Sequence, residues 1–279
     1  MKVKRALSYL RHRLSDIEEE DYAQKEALEI LAHLLGVSPL NVYLHAEEEI
    51  SEEELQRILL ERLKGKPLPY ILKKAYFYGR PFFIEEGVLI PRPETELLVE
   101  VFLSLGIDEG LLLELGCGSG AVAVTLLLER PKINVLALDI SPKALKITQI
   151  NARHFQVENR LFLVRANWLT SLKEGPFFRA IISNPPYLST NEWTELTPEV
   201  KNFEPMTALV AGPKGTEYQE ILIQEGLKYL ASHGIIIFEM GYNQASRIKD
   251  IVRGWSYRFY RDLLGFERVI LLWIEGENT

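Results

Sequence analysis

Two short stretches of this chain pair residue types and spacings that chemistry can use. One is Asn184-Pro185-Pro186-Tyr187. A planar nitrogen, of an amide or of an aromatic amine, is a poor nucleophile because its lone pair is delocalised into the carbonyl or ring. The Asn184 side-chain oxygen and the Pro185 carbonyl offer two fixed acceptors that can hold both of its N–H groups and aim the nitrogen at an electrophilic carbon. The prolines restrict the backbone and remove competing donors, and Tyr187 supplies a flat face for a planar substrate group. In isolation the tetrapeptide also reads as an ordinary turn with a buried tyrosine. The other stretch is Glu114-Leu115-Gly116-Cys117-Gly118-Ser119-Gly120, whose glycines let a backbone turn approach a bound molecule closely.

The glycine loop admits more than one cofactor. Read as Gly116-x-Gly118-x-x-Ala121 it satisfies a dinucleotide fingerprint. Read as Glu114-x-Gly116-x-Gly118-x-Gly120 it resembles the S-adenosylmethionine loop of class I methyltransferases. A tight strand-to-helix turn with no ligand is the plainer reading. Asp139 follows about twenty residues on, where a carboxylate can accept from both ribose hydroxyls. Both cofactors carry that ribose, and Asp139 is also placed to cap the helix after Ser141-Pro142. Cys117 reads as a small filler, since no histidine lies near it in sequence. An NAD-dependent dehydrogenase would explain the loop and Asp139 but leaves the tetrapeptide without a purpose and supplies no obvious proton donor. A binding module without catalysis would keep the loop and lose the acceptor pair. A nitrogen aimed in line at a methyl sulfonium uses both stretches and needs no strong general base. The histidines, at 12, 33, 45, 154 and 233, form no metal or triad spacing, and no metal is expected.

These residues need strands that end at the two loops. From residue 93 onward, apolar runs rich in β-branched residues alternate with amphipathic stretches, the signature of a doubly wound parallel sheet. The expected strands are 111–115, 135–138, 161–164, 180–183, 235–240, 257–260 and 269–274, with helices near 94–105, 119–129, 142–154, 217–231 and 243–252. Asn184 follows the fourth of these strands, expected beside the first, at the carboxyl ends where the strand order reverses and ligands bind. Residues 1–74 read instead as a small helical bundle, with Leu7, Leu10 and Leu14, then Ala27, Leu28, Ile30, Leu31, Leu34 and Leu35 at helical spacing. Ser51 and Glu54 suit a capping box there. Glutamates at 47–49 and 52–54 read as a solvated cluster. Residues 75–92 read as a hairpin-containing linker around Gly79 and Pro81, before a catalytic domain over 93–279.

Composition bounds the rest. With 279 residues, 47% hydrophobic and 25% charged, the chain can bury a substantial core, which excludes disorder and collagen-like order. Its one cysteine builds neither a disulfide nor a thiolate metal site and suits a reducing compartment. The start, MKVKRALSYLRHRLS, spreads basic residues through its apolar positions, unlike a signal peptide or membrane anchor, so a cytoplasmic protein is expected. A net charge of −7 gives no footprint for tight, sequence-independent binding to nucleic acid.

Further runs place the motifs in a family. Pro69-Tyr70-Ile71-Leu72, Phe77-Tyr78-Gly79, the run from Leu89 to Glu96 (LIPRPETE), Phe203-Glu204-Pro205 with Ala208-Leu209, and Asp262-Leu263-Leu264-Gly265 with Glu267-Arg268-Val269 resemble the HemK/PrmC family of protein glutamine N5-methyltransferases. The similarity covers nearly the whole chain. It implies an α/β, Rossmann-like class I S-adenosylmethionine-dependent methyltransferase, seven-stranded with its last strand antiparallel, after a small α-helical domain that recognises the partner. The implied reaction methylates the glutamine of the Gly-Gly-Gln motif in class I peptide-chain release factors and leaves S-adenosylhomocysteine. Gly116, Cys117, Gly118, Ser119, Gly120, Asp139, Trp168 and Asn184 would hold the cofactor, with the Trp168 ring on adenine. Asn184, Pro185, Pro186 and Tyr187 would hold the glutamine, Asn184, Pro185 and Tyr187 being catalytic, with Phe82 walling its pocket and Arg92 and Glu94 to Glu96 beside it. A glutamine of a large-subunit ribosomal protein would need the same motifs, and adenine N6 presents the same planar amine. Two positions depart from the family's pattern: Asn167 stands where many relatives have aspartate, and Lys214-Gly215 where they tend to have Asp-Gly.

Overall fold

Apolar residues at three- and four-residue spacing fold residues 1–74 into four helices, α1 (Val3–Leu14), α2 (Glu20–Leu35), α3 (Glu52–Leu63) and α4 (Leu68–Leu72). Their facing sides bury Leu10, Leu14, Ile30, Leu31, Leu55 and Leu59 in a core of their own. Ser51 Oγ accepts from the Glu54 N–H at 3.2 Å and starts α3. Arg62 is buried in this bundle, its guanidinium paired with Glu18 and Glu26, so its charge is compensated. The structure, a computed structural model, describes residues 1–274, which divide into two units after Lys74.

From Lys74, the last residue of the first unit, the chain enters a hairpin, β1 (Lys74–Phe77) and β2 (Arg80–Phe83). The sequence sets this stretch apart as a linker, but its aromatic side chains belong to the core that follows: Phe77 and Phe82 are buried with Val99, Phe102 and Val122. Asn151 clasps the Phe83 backbone from both sides, accepting from its N–H at 2.8 Å and donating to its carbonyl at 2.9 Å.

The chain continues as α5 (Glu96–Ser104), β3 (Glu109–Leu115), α6 (Ala121–Glu129), β4 (Lys132–Asp139), α7 (Pro142–His154), β5 (Leu161–Arg165) and β6 (Phe178–Ser183). Then come β7 (Leu188–Ser189), α8 (Thr190–Glu195), α9 (Pro198–Phe203), β8 (Val210–Gly212), α10 (Glu217–Glu225), β9 (Leu230–Glu239), α11 (Ala245–Ile251), β10 (Ser256–Arg261) and β11 (Glu267–Trp273). Seven strands form one sheet in the order β10-β11-β9-β6-β3-β4-β5, and β11 runs antiparallel to both neighbours. Successive residues of β3 serve opposite faces: Leu112 packs into one core and Leu113 into the other. β3 lies between β4 and β6, with Leu115 opposite Leu138 and Ser183. Gly116, Asp139 and Asn184 therefore leave three adjacent strands at one edge, where the order reverses.

Two expectations change. The helix expected over 217–231 ends at Glu225, and a 3₁₀ turn, Gly226–Tyr229, leads into a strand beginning at Leu230 rather than Ile235. Gly226 lies where any side chain would meet Ile236, and His233 at φ +58° bends the early strand out of simple alternation. Residues 188–212 supply elements that periodicity did not reveal. Among them, α8 starts with a full capping box between Ser189 and Glu192. Among the described residues no single helix is long and apolar enough to cross a membrane.

Candidate active site

The turn after β3 is built by its glycines. The Gly116 and Cys117 N–H groups both donate to Leu138 O, at 2.9 and 3.1 Å, tying the loop to the end of β4. Gly116 and Gly118, at φ +74° and +55°, face open space where a Cβ would stand, whereas Gly120, at φ +78°, packs against Thr148. Cys117 is buried with its thiol beside Thr148 Oγ1, and burial pushes its pKa well up, so it is a filler and not a thiolate. The Ser119 carbonyl accepts from Asn151 Nδ2 at 2.9 Å.

Asp139 closes the loop from β4. Its Oδ2 accepts from Gly118 N–H at 2.9 Å and its Oδ1 from Ser141 N–H at 2.8 Å, while Ser141 Oγ caps α7 through Ala144 N–H. Each carboxylate oxygen retains a further lone pair for a ligand. Burial raises the Asp139 pKa, and these two N–H groups act against that shift. Glu114 lies deeper. Burial, then the nearby Asp139 charge, pushes its pKa to about 8, and its Oε2 has no hydrogen-bond partner among the described residues.

Beyond the loop is a cleft of about 260 Å³ lined by Gly116, Gly118, Asp139, Trp168, Asn184 and Pro186, among others. Trp168, itself at φ +55°, stacks on Tyr218 with ring centroids 4.4 Å apart and planes 15° apart, and both rings face this cleft. Asn167 lines it too, without a charge. A smaller cavity adjoins, lined by Phe77, Arg92, Thr95, Glu114, Cys117 and Ser119. Leu89, Gly116, Gly118 and Asn184 belong to both.

Asn184 is thus the polar side chain at the junction. Ser183 Oγ donates to Leu115 O at 2.8 Å and locks β6 to β3 just before it. Asn184 Nδ2 donates to Thr95 Oγ1 at 2.9 Å, and Thr95 Oγ1 donates to Glu239 Oε2 at 2.6 Å. Burial raises the Glu239 pKa to about 7, with the Thr95 hydroxyl opposing the shift. The Tyr187 carbonyl accepts from Gln244 Nε2 at 2.7 Å, the same nitrogen donates to Gly215 O at 2.8 Å, and Gln244 Oε1 accepts from Gly241 N–H at 2.9 Å. Burial, then the Glu239 charge, pushes the Tyr187 phenol above its usual range, so it stays neutral.

The expected residues therefore converge, with corrections. Gly120, Pro185 and Tyr187 line neither cavity. Phe82 lines neither cavity: its ring is fully buried against Phe77 and Phe155, and Phe77 lines the smaller cavity. Arg92 reaches that cavity while paired with Glu204, and Glu96 accepts from Tyr78 N–H at 2.8 Å, joining the hairpin to α5. Lys214 instead makes an exposed pair with Glu220. Thr95 lies in the run expected beside the site, whereas Tyr218, Glu239 and Gln244 had no local signal, because each acts through a partner far away in sequence.

Comparison with known proteins decides the family. Residues 93–200 match the model described as Methyltransferase small domain, and residues 5–72 match PrmC N-terminal domain. The chain is 38% identical to the release factor glutamine methyltransferase of Aquifex aeolicus over 91% of this chain and 92% of that one. It is 37% identical to the enzyme of the same name from Nitratidesulfovibrio vulgaris, over 94% and 92%.

The chain belongs to the release factor glutamine methyltransferase family.

It is an enzyme, a methyltransferase. Its fold is shared at lower identity with a crystal structure of the hMettl16 catalytic domain in complex with an MAT2A 3′UTR hairpin, at TM-score 0.59 and 14% identity over 85% and 87% of the two chains. Methyltransferase domains of this class use S-adenosylmethionine in general. The residues of this family member fit such a group: open glycine backbone, a carboxylate at the end of β4, an aromatic stack and a buried, unpartnered Glu114 oxygen all meet at the two cavities.

Proposed function

We propose that this methyltransferase transfers a methyl group to the side-chain amide nitrogen (N5) of the glutamine in the Gly-Gly-Gln motif of class I peptide-chain release factors. The observation that carries the reading is the position of Asn184, the one polar side chain shared by the glycine-lined cleft and the cavity beside Phe77 and Arg92. S-adenosylmethionine supplies an electrophilic methyl on a sulfonium, which leaves as the neutral thioether of S-adenosylhomocysteine. Asp139 would accept from the ribose hydroxyls, Gly116 and Gly118 would make room for the cofactor, Trp168 would flank its adenine, and the Glu114 carboxylate would receive its ammonium.

Asn184 Oδ1 and the Pro185 carbonyl hold the two N–H groups of the glutamine amide, so that its lone pair points along the line of transfer. Pro186 bounds the cleft, and Tyr187 stiffens the turn from behind through its carbonyl bond to Gln244. The methylated nitrogen is acidic enough to release its proton to solvent, so no basic side chain is required. The helical unit, with a core independent of the sheet, recognises the release factor, and the enzyme works in the cytoplasm.

Isotopic methyl transfer tests this, with a release factor, its Gln-to-Ala variant, ribosomal protein and adenine-containing nucleic acid offered in parallel. Label on the factor that vanishes with Gln-to-Ala supports the reading. Label on ribosomal protein or nucleic acid alone overturns it. Deleting residues 1–74 should weaken labelling far more than cofactor binding, and equal losses would refute the recognition role.

A further inference from the structure

We propose that Thr95 and Glu239 set the direction of the Asn184 amide, and so act as positioning residues for methyl transfer; this deepens the reading above and rests on it. The three groups form a hydrogen-bond chain at the base of the site. Asn184 Nδ2 donates to Thr95 Oγ1 at 2.9 Å, and Thr95 Oγ1 donates to Glu239 Oε2 at 2.6 Å. Thr95 is 5% exposed and Glu239 1%, so water does not substitute for either partner.

The chain has a polarity. A threonine hydroxyl has one hydrogen, and here it goes to Glu239 Oε2, which accepts it as a carboxylate or as the carbonyl oxygen of the protonated acid. Toward Asn184 the Thr95 oxygen can then only accept, which demands the amide NH₂ on that side. The Asn184 oxygen is left facing the cavities, where a substrate N–H needs an acceptor. A half-turn of the amide would set its oxygen against the Thr95 oxygen and present an NH₂ group to the substrate's N–H, replacing two attractions with two repulsions. Burying an acid is costly, and besides Thr95 this one has the Tyr187 phenol and the Arg268 charge acting to favour its ionised form. A directional role accounts for an acid at this place, since packing alone would favour an apolar residue. The acid is drawn from β9 and the threonine from the turn before α5, 144 residues apart.

The test uses the full-length enzyme and the labelled-methyl assay with Thr95→Val, Thr95→Ala and Thr95→Ser. Without the hydroxyl, kcat should fall about 10- to 100-fold, the size expected of a misoriented reactant, while the cofactor Kd stays within about twofold. Thr95→Ser should restore most of the rate, because it keeps the hydroxyl. In an Asn184→Ala background Thr95→Val should cost nothing further, since the two act as a unit.

Wild-type kcat in both Thr95→Val and Thr95→Ala overturns the proposal. So does a serine variant as slow as the valine one, or an undiminished effect without Asn184. If the wild-type enzyme labels ribosomal protein or nucleic acid instead of the release factor, the substrate reading fails while the same variants, scored on the labelled substrate, still decide the role of Thr95.

Discussion

At the scale of single residues, what matters at Asn184 is which end of its amide faces the substrate. Asn184→Asp illustrates this, because the variant keeps an oxygen toward the cavities. Its second oxygen would face Thr95 Oγ1, whose hydrogen is already given to Glu239, and a new charge would join the buried Glu114 and Glu239. Transfer should fall about 100- to 1,000-fold, comparable to removing a preorganised hydrogen bond from a transition state. Comparing kcat with cofactor Kd, which should change far less, checks it, and an aspartate variant at near wild-type rate would remove the orientation argument. The tetrapeptide itself is legible in sequence because Asn, two prolines and Tyr are local and rarely combined. Tyr218, Glu239 and Gln244 are not, since nothing near Gln244 in the chain announces that it will clasp Tyr187 and Gly215. Phe82 is the converse case: a neighbouring motif points to it, while Phe77 of the same hairpin lines the smaller cavity.

At the scale of elements, the strand-loop-helix unit from β3 to α6 depends on one glycine more for packing than for ligand access. A Cβ on Gly120 would stand 2.7 Å from Thr148 Cγ2, and its φ of +78° is one that L side chains rarely adopt. Gly120→Ala should therefore destabilise the sheet unit by about 2 kcal/mol, lowering Tm by about 4–8 °C for a domain of this size. A second change, Thr148→Ala, should recover the steric part and leave the backbone part. Thermal denaturation reads both, and an unchanged Tm in Gly120→Ala would show that α7 gives way freely. Strands such as β3, β4 and β6 are readable because an alternating or continuous apolar run has few other uses in a chain of this length. The end of α10 and the start of β9 are not, since Leu-Ala-Ser-His-Gly carries neither period, and tertiary pairing with Phe178 decides it. The short α8 and α9 have no amphipathic repeat to read: α8 starts from its capping box and α9 from Pro198 in its first turn.

At the scale of the whole molecule, two acids buried in the sheet unit couple stability and ligand binding to pH. Burial lifts Glu114 to about 8 and Glu239 to about 7, against an ordinary value of 4.5. In that window the folded protein holds protons that the unfolded chain has released. The contribution of each acid to stability is therefore complete below about pH 4.5 and is lost as pH rises through its folded pKa. Without cofactor, Tm should fall steadily from about pH 5.5 to 8.5, over which these groups must ionise in place. A net charge of −7 adds repulsion of the same sign. A cationic cofactor reverses the balance at Glu114, because an ammonium beside it favours the ionised form. Binding near pH 7 should then release a proton count approaching one, and affinity should rise toward about pH 8. Calorimetry in two buffers of different ionisation enthalpy counts that proton, and Glu114→Gln should abolish both the release and the pH dependence. If the release persists in Glu114→Gln, the proton comes from another group and the ammonium does not sit at Glu114.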